Sequence, residues 1–253
     1  MPCKLAICLF GQPRRYQLGF QRLSEFIKLQ TDVTVDFYFH TWIVDKPFYD
    51  ASPHRNLPPE ELKTDTQIIE KLIDLYRPVE YAVDSPSVVD VSLFDNTLLL
   101  RNTTHPTLMG NIRNTLSQFH SRQRVRDLLK RSGRQYDFVV CTRFDFPYNV
   151  TLLLHELIKD YIYLAGSIVV RRIPDWFILS NQQAFLDMQN LLGDFDKIKN
   201  NKDLEAKVLQ SRCVQDGNFC LNPEELLLST VVYYNHLDKI VYTEKIPNFV
   251  PIP

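Results

Sequence analysis

Apolar residues fall along this chain in short unbroken runs separated by longer stretches of mixed character. Leu5–Phe10 is such a run, stopped at once by Gly11-Gln12-Pro13, which is the pattern of a buried strand. Leu18, Leu23, Phe26 and Ile27 then recur at helical spacing within residues 16–29. Val33–Trp42, dense in β-branched and aromatic side chains, predicts a second strand. Strand, helix and strand in succession form a βαβ unit, so the two strands are expected to run parallel.

Four prolines within residues 43–59 mark a surface loop. Pro59-Glu60-Glu61 is expected to open a helix that runs to Tyr76, followed by a strand over Val79–Val83. Residues 84–110 show no period, and unstructured stretches of that length often carry function. Asn111–Ser132 is the clearest helix, with Leu116, Phe119, Val125, Leu128 and Leu129 on its apolar side and Gly133 as its C′ residue. Further strands are expected over Tyr136–Thr142, around Gly166 as a hairpin, over Arg171–Ser180 and over residues 239–243. Helices are expected over 181–192 and from Asn222 to Asn235, with a charged stretch to residue 207 between them. Alternation of this kind indicates one α/β domain spanning residues 1–253.

Composition narrows the classes. With 253 residues, 45% of them hydrophobic and 23% charged, the chain is an ordinary globular one. Twenty-nine basic residues against thirty acidic ones leave a net charge of −1, which argues against a dedicated nucleic-acid binder. No apolar run approaches the ~20 residues of a membrane span, and Leu5–Phe10 is too short for a signal peptide core. A cytosolic protein is expected. Cys8 and Cys141 sit inside strand-like runs and are expected as buried thiols, whereas Cys213 and Cys220 flank a polar loop. The seven glycines match neither GxGxxG nor GxxxxGK, and GxSxG and HExxH are absent too.

Ligands of open α/β sheets gather at the carboxyl ends of the strands. Two such ends here carry charge. Phe10 empties into Gly11-Gln12-Pro13-Arg14-Arg15, and Thr142 into Arg143-Phe144-Asp145. Both suit an anionic ligand such as a phosphate. His40, at the end of the second strand beside Trp42, is either a phosphate or ribose contact or a satisfied strand-end histidine. Arg113, Arg122, Arg124, Arg126 and Arg131 make the 111–132 helix strongly basic. That face is either solvated or a wall beside the anion.

The order LAICLFGQPRR, DFYFHTW, YDFVVCTRFDF, DWFILSN and NPEELL, spread over residues 4–236, resembles the GT-A glycosyltransferases. More narrowly, it is similar to those of bacterial polysaccharide clusters and of large algal DNA viruses, for which the location would be the host cytoplasm. The resemblance implies a Rossmann-like, mostly parallel central sheet flanked by helices. Residues 1–150 would bind a nucleotide-sugar donor, UDP-linked in the first instance. Residues 151–253 would serve a glycan or glycoprotein acceptor.

The same resemblance implies an Asp-x-Asp motif after a central strand, chelating Mn²⁺ or Mg²⁺ to clamp the diphosphate. Arg143-Phe144-Asp145 stands in its place with the first acid replaced. Either Asp145 alone is the metal ligand, or Arg143 contacts the diphosphate directly. Gly11, Gln12, Arg14 and Arg15 would face the nucleotide, with His40 and Arg122 alongside. An inverting reaction also needs a base, for which Asp175 and Glu224 are the candidates. Glu225 reads instead as the reciprocal partner of Asn222 in a capping box. Trp176 and Phe177 are either a sugar platform or core. Other nucleotide-dependent transfer (sulfo- or nucleotidyl-) and a non-catalytic binder are the competing readings.

Overall fold

A computed structural model describes residues 2–44, 64–85, 108–146, 149–165, 173–174, 176–199, 201–211 and 223–246. In chain order the elements are β1 (Cys3–Phe10), α1 (Tyr16–Lys28), β2 (Val33–Trp42), α2 (Thr66–Tyr76), β3 (Glu80–Asp84), α3 (Leu108–Arg131) and β4 (Phe138–Arg143). There follow β5 (Ile162–Ala165), β6 (Phe177–Ser180), α4 (Gln182–Met188), α5 (Phe195–Lys199), α6 (Lys202–Ser211), α7 (Pro223–Tyr233) and β7 (Ile240–Thr243). The strands form one seven-stranded sheet in the order β3-β2-β1-β4-β6-β5-β7. β3, β2, β1 and β4 are mutually parallel, as the βαβ reading of the first strands required. β6 alone is reversed, antiparallel to both β4 and β5, while β7 returns to run parallel with β5.

The strands alternate between two cores because successive side chains of a strand point to opposite faces. Leu5, Ile7 and Leu9 meet Leu23 and Phe26 of α1 and Leu72 and Tyr76 of α2. Ala6, Cys8 and Phe10 meet Leu116, Phe119 and Val125 of α3, with α4 and α7 packed behind. Burial on both faces is why these strands read as unbroken apolar runs. It also explains the thiols: Cys8 and Cys141 are fully buried and unbridged, and burial pushes Cys141 up to about 11.

Several boundaries shift from the sequence expectation. The second helix begins at Thr66, because Thr64 pairs with Val44 in an isolated bridge and the Asp65 carboxylate caps Ile68 N–H at 3.0 Å. Residues 59–63 lie outside the described residues. Asp65→Ala removes that cap and is expected to cost about 1 kcal/mol, read as a fall in Tm of about 2–4 °C. Gly133 follows α3 at φ +67°, the left-handed residue a C′ position takes. Among the described residues of the strand expected over 171–180, Phe177–Ser180 is strand, and the helix after it, capped by Asn181 on Ala184 N–H at 2.8 Å, ends at Met188. Helices α5 and α6 occupy the charged stretch expected up to residue 207, and α6 continues beyond it to Ser211.

Candidate functional site

Strand order reverses between β1 and β4, since the chain builds outward through β2 and β3 before laying β4 on the other flank of β1. In sheets of this kind that reversal opens a crevice at the carboxyl edge. The register places Phe10 opposite His40 on one side and opposite Arg143 on the other. Both charged strand ends singled out in the sequence therefore lie at one point of the sheet.

The loop leaving β1 is built for a tight exit. Gly11 sits at φ +92°, a conformation that disfavours any side chain, and its N–H donates to Ser121 Oγ of α3 at 2.8 Å. Arg14 folds back so that its Nε donates to Gln12 Oε1 at 2.8 Å. Arg15 adopts φ +47° just before α1 and offers no side-chain cap to that helix. The loop thus brings two arginines up to a helix N-terminus, whose partial positive charge favours anions.

On the neighbouring strand Arg143 and Asp145 face each other. The guanidinium donates through Nε and Nη2 to the two carboxylate oxygens at 2.8 and 2.7 Å, a fork-to-fork pair. Both are partly shielded from solvent. The Trp176 carbonyl anchors this exit by accepting from Thr142 Oγ1 at 2.7 Å and from Arg143 N–H at 3.4 Å. From the other side α1 presses in closely. A Cβ on Gly19 would lie 1.8 Å from the Phe144 carbonyl oxygen.

At the ends of β2 and β3 a second group of side chains converges on one atom. Asp84 Oδ2 accepts from His40 Nε2 at 3.1 Å, from His120 Nε2 at 3.0 Å and from Arg124 Nε at 2.9 Å. Hydrogen bonding from His40, with help from His120 and the Arg124 charge, holds the Asp84 carboxyl well below the usual carboxylate range. Burial pushes the His40 imidazole down, against the pull of Asp84. A neutral His40 against a carboxylate carries its proton on Nε2, so its Nδ1 accepts from the Ser121 hydroxyl at 2.7 Å. Trp42 closes the cluster edge-on to His40 with ring centroids 4.9 Å apart. The ligand atoms of His40, Asp84 and His120 all lie within 4.8 Å of one another, so this cluster has the composition to hold a metal ion.

The sequence singled out His40, as a phosphate or ribose contact or a satisfied strand-end histidine, but not Asp84 or His120. One signal was available: His120 and Arg124 are four apart, hence on one face of a helix, and Asp84 is the acid that ends the strand before it. Arg122, expected beside the nucleotide, is a core residue instead. It is fully buried, with Nη1 donating to Gln189 Oε1 at 3.1 Å and the guanidinium 4.0 Å from the centre of the Phe10 ring. The basic face of α3 is spent largely on the protein itself. Arg124 and Arg131 pair with Asp84 and Glu80 at the two ends of β3, and Arg126 with Asp127 and the Leu186 carbonyl. Phe177 is fully buried and packs on Phe26 and Phe146, which makes it core. Glu224 stands in the first turn of α7, partly buried, on the α3 side of the sheet. Asp175 lies outside the described residues, as do Asn222, Cys213 and Cys220; its chain neighbour Trp176 is the residue that braces Arg143. No helix among the described residues is long and apolar enough to cross a membrane.

The chain matches no family model and no curated protein sequence. Among solved structures it is similar to the apo form of the WbbM bifunctional glycosyltransferase, with 11% identity and a TM-score of 0.38. That alignment covers 96% of this chain and 38% of the other, so the chain spans well under half the length of that neighbour.

Proposed function

We propose that the chain is a glycosyltransferase that moves a sugar from a nucleoside diphosphate donor, UDP-linked in the first instance, to a hydroxyl of a glycan. The observation that carries this reading is that the Gly11–Arg15 loop leaves β1 beside the Arg143 end of β4, where the strand order reverses. Cations and a helix N-terminus converge there at the edge where α/β sheets bind nucleotides. The motif order that resembles GT-A enzymes supports the same reading.

Departure of the nucleotide leaves growing negative charge on the diphosphate. Arg14, Arg15 and Arg143 are the groups placed to meet it, and fixed cations aimed at developing charge lower a barrier without reorganising. Asp145 keeps the Arg143 fork in one plane. The Mn²⁺ or Mg²⁺ that the resemblance implies would take Asp145 by displacing that guanidinium, since both oxygens are engaged by it. In the paired state the arginines carry the neutralisation. Asp175 and Glu224 are the candidates to accept the acceptor's proton.

Calorimetric titration with UDP, GDP, CDP and 3′,5′-ADP, each with and without Mn²⁺, tests the proposal. Binding of one nucleoside diphosphate, lost in Arg143→Ala, is the expected result. Metal dependence abolished by Asp145→Asn would assign the ion to that carboxylate. Binding of 3′,5′-ADP alone would replace the reading with sulfotransfer, and nucleotide binding with no sugar transfer would leave a non-catalytic binder.

A further inference from the structure

We propose that His40, Asp84 and His120 form a transition-metal site, separate from Asp145, in which Arg124 stands in for the cation when no ion is bound. This inference does not depend on the transferase reading.

Three independent observations carry it. The first is ligand spacing. Asp84 Oδ2 lies 3.1 Å from His40 Nε2 and 3.0 Å from His120 Nε2. Metal–nitrogen and metal–oxygen bonds near ~2.1 Å at right angles set neighbouring ligands about 3.0 Å apart. The two contacts therefore already have the length of octahedral edges. The second is the outer shell. A ligating histidine donates its other ring N–H to a fixed acceptor. Ser121 Oγ, itself held by Gly11 N–H at 2.8 Å, stands 2.7 Å from His40 Nδ1. The third is access. His40 is fully buried and fixed, whereas the His120 and Asp84 side chains are 24% and 20% exposed, so an ion can enter from solvent and keep positions for water or an oxygen ligand.

Binding requires a proton to change place on each imidazole: His120 Nε2, which also donates to Asp84 Oδ2, must pass its hydrogen to Nδ1 before it can ligate. His40 gives up its Nε2 proton and carries one on Nδ1 instead, donated to Ser121 Oγ. The Ser121 hydroxyl turns its own hydrogen toward the His40 carbonyl, 3.4 Å away. Through this exchange the His40 imidazole stays neutral. Arg124, whose side chain is 41% exposed, leaves Asp84 Oδ2 for solvent as the ion arrives. Two imidazoles and one carboxylate select Mn²⁺, Co²⁺ or Zn²⁺ over Mg²⁺ and Ca²⁺, which prefer all-oxygen sets.

Co²⁺ added to the full chain in the absence of nucleotide is the probe, read by its visible absorption and by calorimetry. A saturable band is expected, displaced by Zn²⁺ and untouched by millimolar Mg²⁺. His120→Ala, at a partly exposed position, should weaken Co²⁺ at least tenfold with the fold intact by circular dichroism. Arg124→Gln should tighten it several-fold, because a competing cation is gone. Asp145→Asn should leave it unchanged, which distinguishes this site from an ion at the Arg143 exit. Absence of a band at millimolar Co²⁺, or a band that survives His120→Ala with undiminished affinity, overturns the proposal.

Discussion

Gly19→Ala is expected to destabilise the protein by about 3 kcal/mol, although alanine is the better helix former. In an exposed helix the exchange gains about 1 kcal/mol. Here the new methyl would lie 1.8 Å from the Phe144 carbonyl oxygen and 2.9 Å from its carbon. Those atoms belong to the backbone, fixed between β4 and the Arg143–Asp145 pair, and no rotamer change relieves the overlap. Helix α1 must retreat, and overpacking of a tight contact costs about 1–3 kcal/mol or more. Thermal unfolding should show Tm lowered by about 6–12 °C. On the proposed reading nucleotide affinity should fall as well, since α1 begins at the loop that carries Arg14 and Arg15. A Tm equal to wild type or higher would mean that α1 does not approach β4 as described.

The second large effect is expected at Asp84. Asp84→Ala leaves the Nε2–H of His40, fully buried, without its acceptor, and an unsatisfied buried donor costs about 1–3 kcal/mol. Arg124 loses its carboxylate but can turn to solvent and adds little. A loss of about 2–3 kcal/mol follows, measured by urea unfolding in the presence of a chelator so that no ion contributes. Asp84→Asn should cost less than half as much, because its amide oxygen still accepts. If alanine and asparagine prove equally mild, the cluster is not a stabilising hub.

The parallel core was legible because its strands are buried on both faces. Leu5–Phe10 and Phe138–Cys141 have no polar residue to confuse their periodicity, Val33–Trp42 is dense in β-branched and aromatic side chains, and Gly133 marked its helix end by chemistry that few other residues supply. The two charged strand ends were legible for the same reason, as sharp breaks in apolar runs. What the sequence hid is what depends on three-dimensional pairing. Asp84 meets His120 across 36 positions and His40 across 44, through a strand order that no local pattern encodes. Arg122 was misplaced because arginine on a helix reads as an exposed residue, whereas the Phe10 ring, the Gln189 amide and Cys141 Sγ are among the contacts that make its burial tolerable. The reversal of β6 was equally hidden, since a four-residue strand of three apolar residues and a serine looks alike in either direction.

Ser121 touches both halves of this edge through a single hydroxyl, holding Gly11 N–H on one side and His40 Nδ1 on the other. A hydroxyl has one hydrogen, so its orientation is a shared variable: whatever fixes the tautomer of His40 also fixes how firmly the first loop is held. Thermodynamic reciprocity then applies. If occupation of the histidine cluster changes the affinity of the loop for its anion by some factor, the anion changes the affinity of the cluster by the same factor. The oxygen of one buried serine therefore makes the ends of β1 and β2 a linked pair, and ligands bound at the two proposed sites would not titrate as strangers.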